Sequence, residues 1–259
     1  MQMTTLTFLG TGTSQGVPVI GCDCKVCTSH DPRDRRLRTS ALVECRGVRL
    51  QIDAGPDFRY QMLREGIARI DAILLTHEHK DHTGGLDDVR PFNYFSRKPM
   101  EIYAAPRVLE RIRRDFDYAF ADDPYPGVPE INLHPVEAAE PFSVQGVEVV
   151  PVQGSHYTFP VLGYRIGGLA YLTDFKEIAP AEAEKLRGVD TLVVNALRRE
   201  LHYSHFNLDE AVALSRAVGA RRTYLTHVSH QMGLCADVER LLPEGVMLAF
   251  DGMKIETER

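Results

Sequence analysis

The chain has 259 residues, 44% hydrophobic and 25% charged, the composition of a folded globular protein and not of a disordered, collagenous or coiled-coil chain. A formal net charge of -6 gives no basic excess to neutralise a phosphate backbone, so extended nucleic-acid binding is not expected. No apolar run reaches the roughly 18 residues of a membrane span. The opening MQMTTLTFLG lacks the basic start and apolar core of a secretory signal, so the expected compartment is the cytoplasm.

Short β-type runs are predicted over 6–9, 40–45, 48–52, 72–75, 101–104 and 147–152, then over 161–166, 170–172, 191–194, 222–225 and 246–250. Turns at Arg46-Gly47 and Gly167-Gly168 join neighbours as antiparallel pairs. Amphipathic helices are predicted over 56–65, 106–116, 180–186 and 208–218. Three of these begin with a proline, whose missing N–H is not needed in a first turn, and the fourth follows Asn207, a good N-cap. Strand pairs followed by a helix-separated strand series predict two mixed sheets, face to face, with helices outside. The stretch 122–129, with Pro124, Pro126 and Pro129, reads as a loop. With no Gly/Ser/Pro-rich linker elsewhere, residues 1–259 are expected to form one domain.

Five cysteines is an odd number, and Cys22, Cys24 and Cys27 are crowded together. In a reducing compartment three thiols this close are expected to hold a metal rather than form bridges. Cys45, in an apolar run, is expected in the core. The glycine-rich segment 10–16 is not a P-loop, because no Gly-Lys-Ser/Thr follows, and Gln15 breaks GxGxxG. It reads as a turn beside the functional site.

The strongest signal is Thr76-His77-Glu78-His79-Lys80-Asp81-His82, where an apolar strand ends in three imidazoles and a carboxylate. In chains of this composition HxHxDH would arise by chance roughly once in a thousand. Imidazole and carboxylate are donors for Zn, Mn or Fe, and Gly84-Gly85 is expected to let the loop turn tightly beneath them. The pattern is not the HExxH of a zinc protease, since Asp81 stands where the second histidine would be. Further donors are expected at other strand ends, and His156, Asp174 and His227 each follow an apolar run.

With these motifs the chain resembles the metallo-β-lactamase superfamily, a four-layer αββα sandwich, over nearly its whole length. The resemblance implies one metal held by His77, His79 and His156, and another held by Asp81, His82 and His227. Asp174 would bridge the two together with a shared water, and Asp53 would orient a ligand. Two cations roughly 3.5–4 Å apart would supply hydroxide near neutral pH from that water. The implied active-site cofactors are two divalent ions, Zn or Mn.

Two features narrow the branch. The superfamily's phosphodiesterases carry a histidine at the position of His205, 22 residues before His227, facing the substrate phosphate. It is expected to act as general acid to the leaving alkoxide, with His202 shaping its loop. Cys22, Cys24 and Cys27 on a loop at 21–28, together with the distant His230, look like the structural zinc site of the PhnP-type phosphodiesterases of phosphonate breakdown. PqqB-type proteins share that loop, and tRNA 3′-end endonucleases share HxHxDH. After its last histidine ligand this chain reads Val228-Ser229-His230-Gln231-Met232, not the Phe-Ser-x-Arg-Tyr run of those nucleases. The expected function is metal-dependent hydrolysis of small phosphodiesters, cyclic ones included, with a PqqB-like accessory role or a nuclease as the alternatives. The expected partners are a small phosphate ester and, at most, a second copy of the chain, with no membrane. Lys176, Arg198 and Arg199 are candidates for attracting phosphate, or ordinary surface charge.

Overall fold

A computed structural model describes residues 3–258. The strands are β1 (Met3–Gly10), β2 (Ser40–Cys45), β3 (Val48–Ile52), β4 (Ala72–Leu74), β5 (Met100–Ala104), β6 (Ile131–Pro135), β7 (Phe142–Val144) and β8 (Val147–His156). They continue with β9 (Phe159–Ile166), β10 (Leu169–Leu172), β11 (Glu177–Ile178), β12 (Thr191–Asn195), β13 (Arg222–Thr226), β14 (Val246–Leu248) and β15 (Lys254–Glu258). The helices are α1 (Phe58–Glu65), α2 (Lys80–Thr83), α3 (Arg90–Ser96), α4 (Pro106–Asp115), α5 (Pro180–Glu184), α6 (Leu208–Val218) and α7 (Cys235–Glu239).

The first sheet runs β15-β1-β2-β3-β4-β5-β6 and the second β11-β8-β9-β10-β12-β13-β14, with β7 paired to β8. Both are mixed: β3 to β6 are parallel, as are β10, β12, β13 and β14, while the hairpins are antiparallel. Leu6, Phe8, Leu50, Ile52 and Leu74 from the first sheet meet Tyr164, Tyr171 and Val193 from the second in a buried layer. The outer face of the first sheet, with Leu9, Ile73 and Ile102, is covered by Phe58 and Met62 of α1 and Ile112 of α4. That of the second, with Leu172, Leu192 and Val194, is covered by Leu214 of α6 and Val238 of α7. The result is the four-layer αββα sandwich. Central strands such as β12 are near-continuous apolar runs because both of their faces are buried. Among the described residues no helix is long and apolar enough to cross a membrane.

The structure departs from the expected elements where polar residues alternate with apolar ones. β6, β7, β11 and β15 and the short helices α2, α3 and α7 were not anticipated, and β15 hides only alternate side chains, Ile255 and Thr257, against its neighbours. Pro56 does not open α1. The helix starts at Phe58, whose N–H bonds back to the Gly55 carbonyl, and Pro56 lies in the turn before it. Pro106 and Pro180 do begin their helices. Cys45 is buried as expected. The segment 122–129 contains no helix or strand.

Asn207 makes a reciprocal capping box with Glu210 at the start of α6, and the helix buries Ala211, Leu214, Ser215 and Val218 at helical spacing. Asn207 also donates to the Arg199 carbonyl, which fixes the loop carrying His205. Asn207→Ala should therefore cost about 1–2 kcal/mol of stability, read as a lower urea midpoint. A midpoint equal to that of the wild type would show that the cap contributes nothing.

Candidate metal centre

Strand ends from both sheets deliver the donors. Asp53 follows β3, His77 lies just past β4, His156 closes β8, Asp174 follows β10 and His227 follows β13. Loops anchored on rigid strands hold side chains more tightly than free loops do. The backbone is strained here: Asp53, Asp174 and His227 have φ of 59°, 61° and 55°, a left-handed conformation uncommon for residues other than glycine. Strain of this kind clusters where a side chain must point in one particular direction.

In one group His77 Nε2 lies 3.0 Å from His79 Nδ1, and His156 brings a third ring nitrogen within 4.8 Å of both. The opposite nitrogens are held from behind. His77 Nδ1 is 3.0 Å from Thr76 Oγ1, and His156 Nδ1 donates to the Ser204 carbonyl at 2.8 Å. In the adjoining group His82 Nδ1 donates to Asp53 Oδ2 at 2.7 Å, while its Nε2 lies 3.2 Å from both Asp81 Oδ2 and Asp174 Oδ2. That buried nitrogen makes no well-aligned hydrogen bond to either. His227 Nδ1 is 3.2 Å from Asp174 Oδ2, so Asp174 touches both His82 and His227. His205 Nε2 stands 3.0 Å from the other oxygen, Asp174 Oδ1.

The charges suit a bound cation. Burial holds His77 well below the usual imidazole range and lowers His227 to about 3, so both are neutral, lone-pair donors. Burial would also depress His82, but Asp81, Asp174 and Asp53 around it push it well above its usual value. Asp174, despite burial, is held well below the carboxylate range by His227 and His82. Three carboxylates thus surround one buried imidazole, an excess of negative charge costly to hide without a cation. Neutral imidazoles beside ionised carboxylates, with an unpartnered ring nitrogen between them, form a donor set that fits a divalent metal.

The cysteine loop closes elsewhere. Cys22 Sγ, Cys24 Sγ and Cys27 Sγ lie 3.3, 3.4 and 3.4 Å from His230 Nδ1. A tetrahedral zinc with bonds of roughly 2.3 Å to sulfur and 2.0–2.1 Å to nitrogen separates such atoms by about 3.5 Å. The Val19 N–H donates to Cys27 Sγ and the Cys27 N–H to Cys24 Sγ, although at Cys27 burial outweighs that contact and pushes the thiol up to about 11. The N–H of Cys27, set against burial, draws Cys24 down to about 6. Gly21, at φ 77°, makes the turn into this loop. Asp34 pins the chain just beyond it, accepting from Ser29 Oγ and from the Cys235 N–H at the start of α7.

Every donor expected from the sequence is therefore drawn into one of these two places. The role of Gly84-Gly85 differs from the expected one. Their φ values, -67° and -98°, are ordinary, and it is the missing side chain that matters. A Cβ on Gly85 would sit 2.1 Å from the Gly55 carbonyl oxygen. Lys176 is ion-paired to Glu210 at 2.6 Å, and Arg198 is bonded to Gln231 and the Leu201 carbonyl. Sequence reasoning missed Thr76, which donates to Asp53 through both N–H and hydroxyl, although it directly precedes the motif. It also missed Ser204, which acts through its carbonyl, a group without a sequence signature. The 10–16 turn does border the site, with Thr13 Oγ1 3.3 Å from His227 Nε2.

A family model described as the Beta-lactamase superfamily domain matches residues 48–228. The chain belongs to the metallo-β-lactamase superfamily. A solved structure of a diphosphatase from the PhnP family is 44% identical, covers 99% of this chain and 98% of its own, and superposes with a TM-score of 0.92. Within the superfamily the chain lies close to PhnP. An octanoyltransferase of Porphyromonas gingivalis is 42% identical over 249 residues, and the chain spans 50% of that relative's length. Coenzyme PQQ synthesis protein B of Methylorubrum populi is 28% identical over 217 residues, 72% of this chain and 70% of that one. The fold implies divalent metals, and the structure supplies the donors for them.

Asp53→Asn keeps the size of the side chain and suits the left-handed backbone, but cannot accept from both Thr76 and His82 as a carboxylate does. Affinity for manganese or zinc should fall about 10–100-fold, measured by competition with a chromogenic chelator. Unchanged affinity would show that Asp53 does not orient His82.

Proposed function

We propose that the protein is a metal-dependent phosphodiesterase of small phosphate esters, working with two divalent ions, zinc or manganese. His77, His79 and His156 would hold one ion, Asp81, His82 and His227 the other, and Asp174 would lie between them. When bound, such a pair supplies hydroxide near neutral pH and neutralises charge growing on phosphoryl oxygens. Cys22, Cys24, Cys27 and His230 would hold one structural zinc, because three sulfurs and one nitrogen leave no position open for substrate.

The observation that carries this reading is His205. Its side chain is 12% exposed, the Nε2 is 3.0 Å from Asp174 Oδ1, and Nδ1 is 3.0 Å from Ser204 Oγ. It therefore sits at the edge of the donor cluster, held by its neighbours and open to a substrate. As phosphorus gains the incoming oxygen and its bond to the leaving oxygen breaks, His205 gives that leaving oxygen its proton. Beside it His202, lowered to about 4 by burial and by the charge of His205, is neutral and cannot compete as the acid. A relative that is a diphosphatase, 44% identical, supports a phosphorus–oxygen bond as the one broken.

His205→Ala should keep both ions yet lower kcat roughly 10²–10⁴-fold on an alkyl phosphodiester. The loss should be smaller on bis(p-nitrophenyl) phosphate, whose leaving group needs no proton. Equal losses on the two substrates would refute a general-acid role. Wild-type protein that carries two ions but turns over neither ester would refute the phosphodiesterase and favour a binding protein of the same fold. Separately, Cys24→Ser should remove about one zinc per chain and lower Tm while leaving the other two ions in place. Wild-type protein with three titratable thiols in this loop, and no metal beyond two ions, would rule the structural site out.

A further inference from the structure

The rim of the donor cluster carries aromatic rings that the proposed chemistry does not use. Tyr157 and Tyr203 are 60% and 70% exposed, and their rings meet edge to face with centroids 5.6 Å apart. Tyr203 stacks on His202 at 4.4 Å, and His202 is 5.1 Å from the ring of His205. The pair therefore stands on the side where His205 would protonate a leaving group. Across the rim, the face of Phe159 is already taken, since the Arg107 guanidinium lies 4.7 Å above it and is paired with Glu78.

Tyr157 itself sits in a tight turn. His156 and Phe159 are paired residues of a hairpin, so Tyr157 is the first central residue of a two-residue turn, at φ 57°. Glycine is the favoured residue at such a position. The same left-handed backbone occurs at Asp53, Asp174 and His227 of the donor cluster, and also at Arg46, Arg97 and Gln145 in turns and a helix end away from it. Two rings at a right angle form a corner in which a flat ring can lie on one face and meet the other's edge.

We propose that Tyr157 and Tyr203 hold a planar, base-like ring of the leaving group, so that the preferred substrates are nucleotide-type phosphate esters. The proposal rests on the phosphodiesterase reading for its chemistry, but not for its binding. Calorimetric titration of manganese-loaded protein with adenosine 5′-monophosphate and with ribose 5-phosphate, which lacks the base, separates the two. The wild type should bind the nucleotide at least about tenfold more tightly, the scale of one base–aromatic stack. Tyr157→Gly and Tyr203→Leu should each remove most of that difference while changing ribose 5-phosphate binding less than about twofold. In Tyr157→Gly the Tm should stay level or rise, because glycine relieves the left-handed turn. A wild type that binds both ligands equally or binds neither, or variants that weaken both alike, would overturn the proposal. Nucleotide preference without hydrolysis of bis(p-nitrophenyl) phosphate would uphold the ring site and sink the catalytic reading, and hydrolysis without the preference would do the reverse.

Discussion

A carboxylate with no access to water governs the geometry of this protein. Asp53 is fully buried, accepts from the N–H and hydroxyl of Thr76 and from His82 Nδ1, and adopts a left-handed backbone to do so. Burial raises the pKa of its carboxyl, so only these donors make its charge tolerable. Thr76 and His82 lie at the two ends of the histidine motif, and fastening both to one group determines the shape of everything between. The chain crosses closely beneath. A Cβ on Gly55 would lie 1.9 Å from the Asp81 carbonyl oxygen, so the two loops touch backbone to backbone. Removing any one of these contacts leaves a buried polar group unmatched, which is why the motif and its surroundings act as one unit.

The second organising feature is the exit of β13. His227 leaves that strand toward Asp174, and His230, three residues on, turns toward the thiol loop. Between them the Ser229 N–H bonds to the Leu197 carbonyl, and Val228 is bridged to Gly12. The cysteine cluster and the histidine cluster are therefore joined through one short segment, 227–230, held by a few backbone bonds.

Much of this could be read from the residues themselves. Imidazoles and a carboxylate within six positions are a local pattern, and their chemistry is the same in a strand, a helix or a loop. The thiols were legible for the same reason, and the two layered sheets followed from strand pairs succeeded by a helix-separated strand series. What stayed hidden depends on distance or on backbone. The Ser204 carbonyl behind His156 is 48 residues away and has no side-chain signature. The turn at Tyr157 contains no glycine to mark it, so its strain appears only in φ. β15 was missed because Lys254 and Glu256 alternate with its two inward residues, Ile255 and Thr257, so it resembles a polar tail until β1 is beside it. Gly85 was legible as a residue but not as a cause, since its neighbour Gly55 is 30 positions earlier.

The pairing of β15 with β1 sets Met3 opposite Glu258. The first and last described strands thus end side by side at one edge of the first sheet. β1 runs from there to the glycine turn beside His227, so the far end of that edge lies roughly 23 Å from the donor cluster, at about 3.3 Å per residue. A polypeptide attached at either end would depart from the same place, on the side away from the chemistry. Fusion to another folded unit at that edge, or rejoining of the two ends with a new opening in an outer loop, would therefore leave the donor cluster unobstructed.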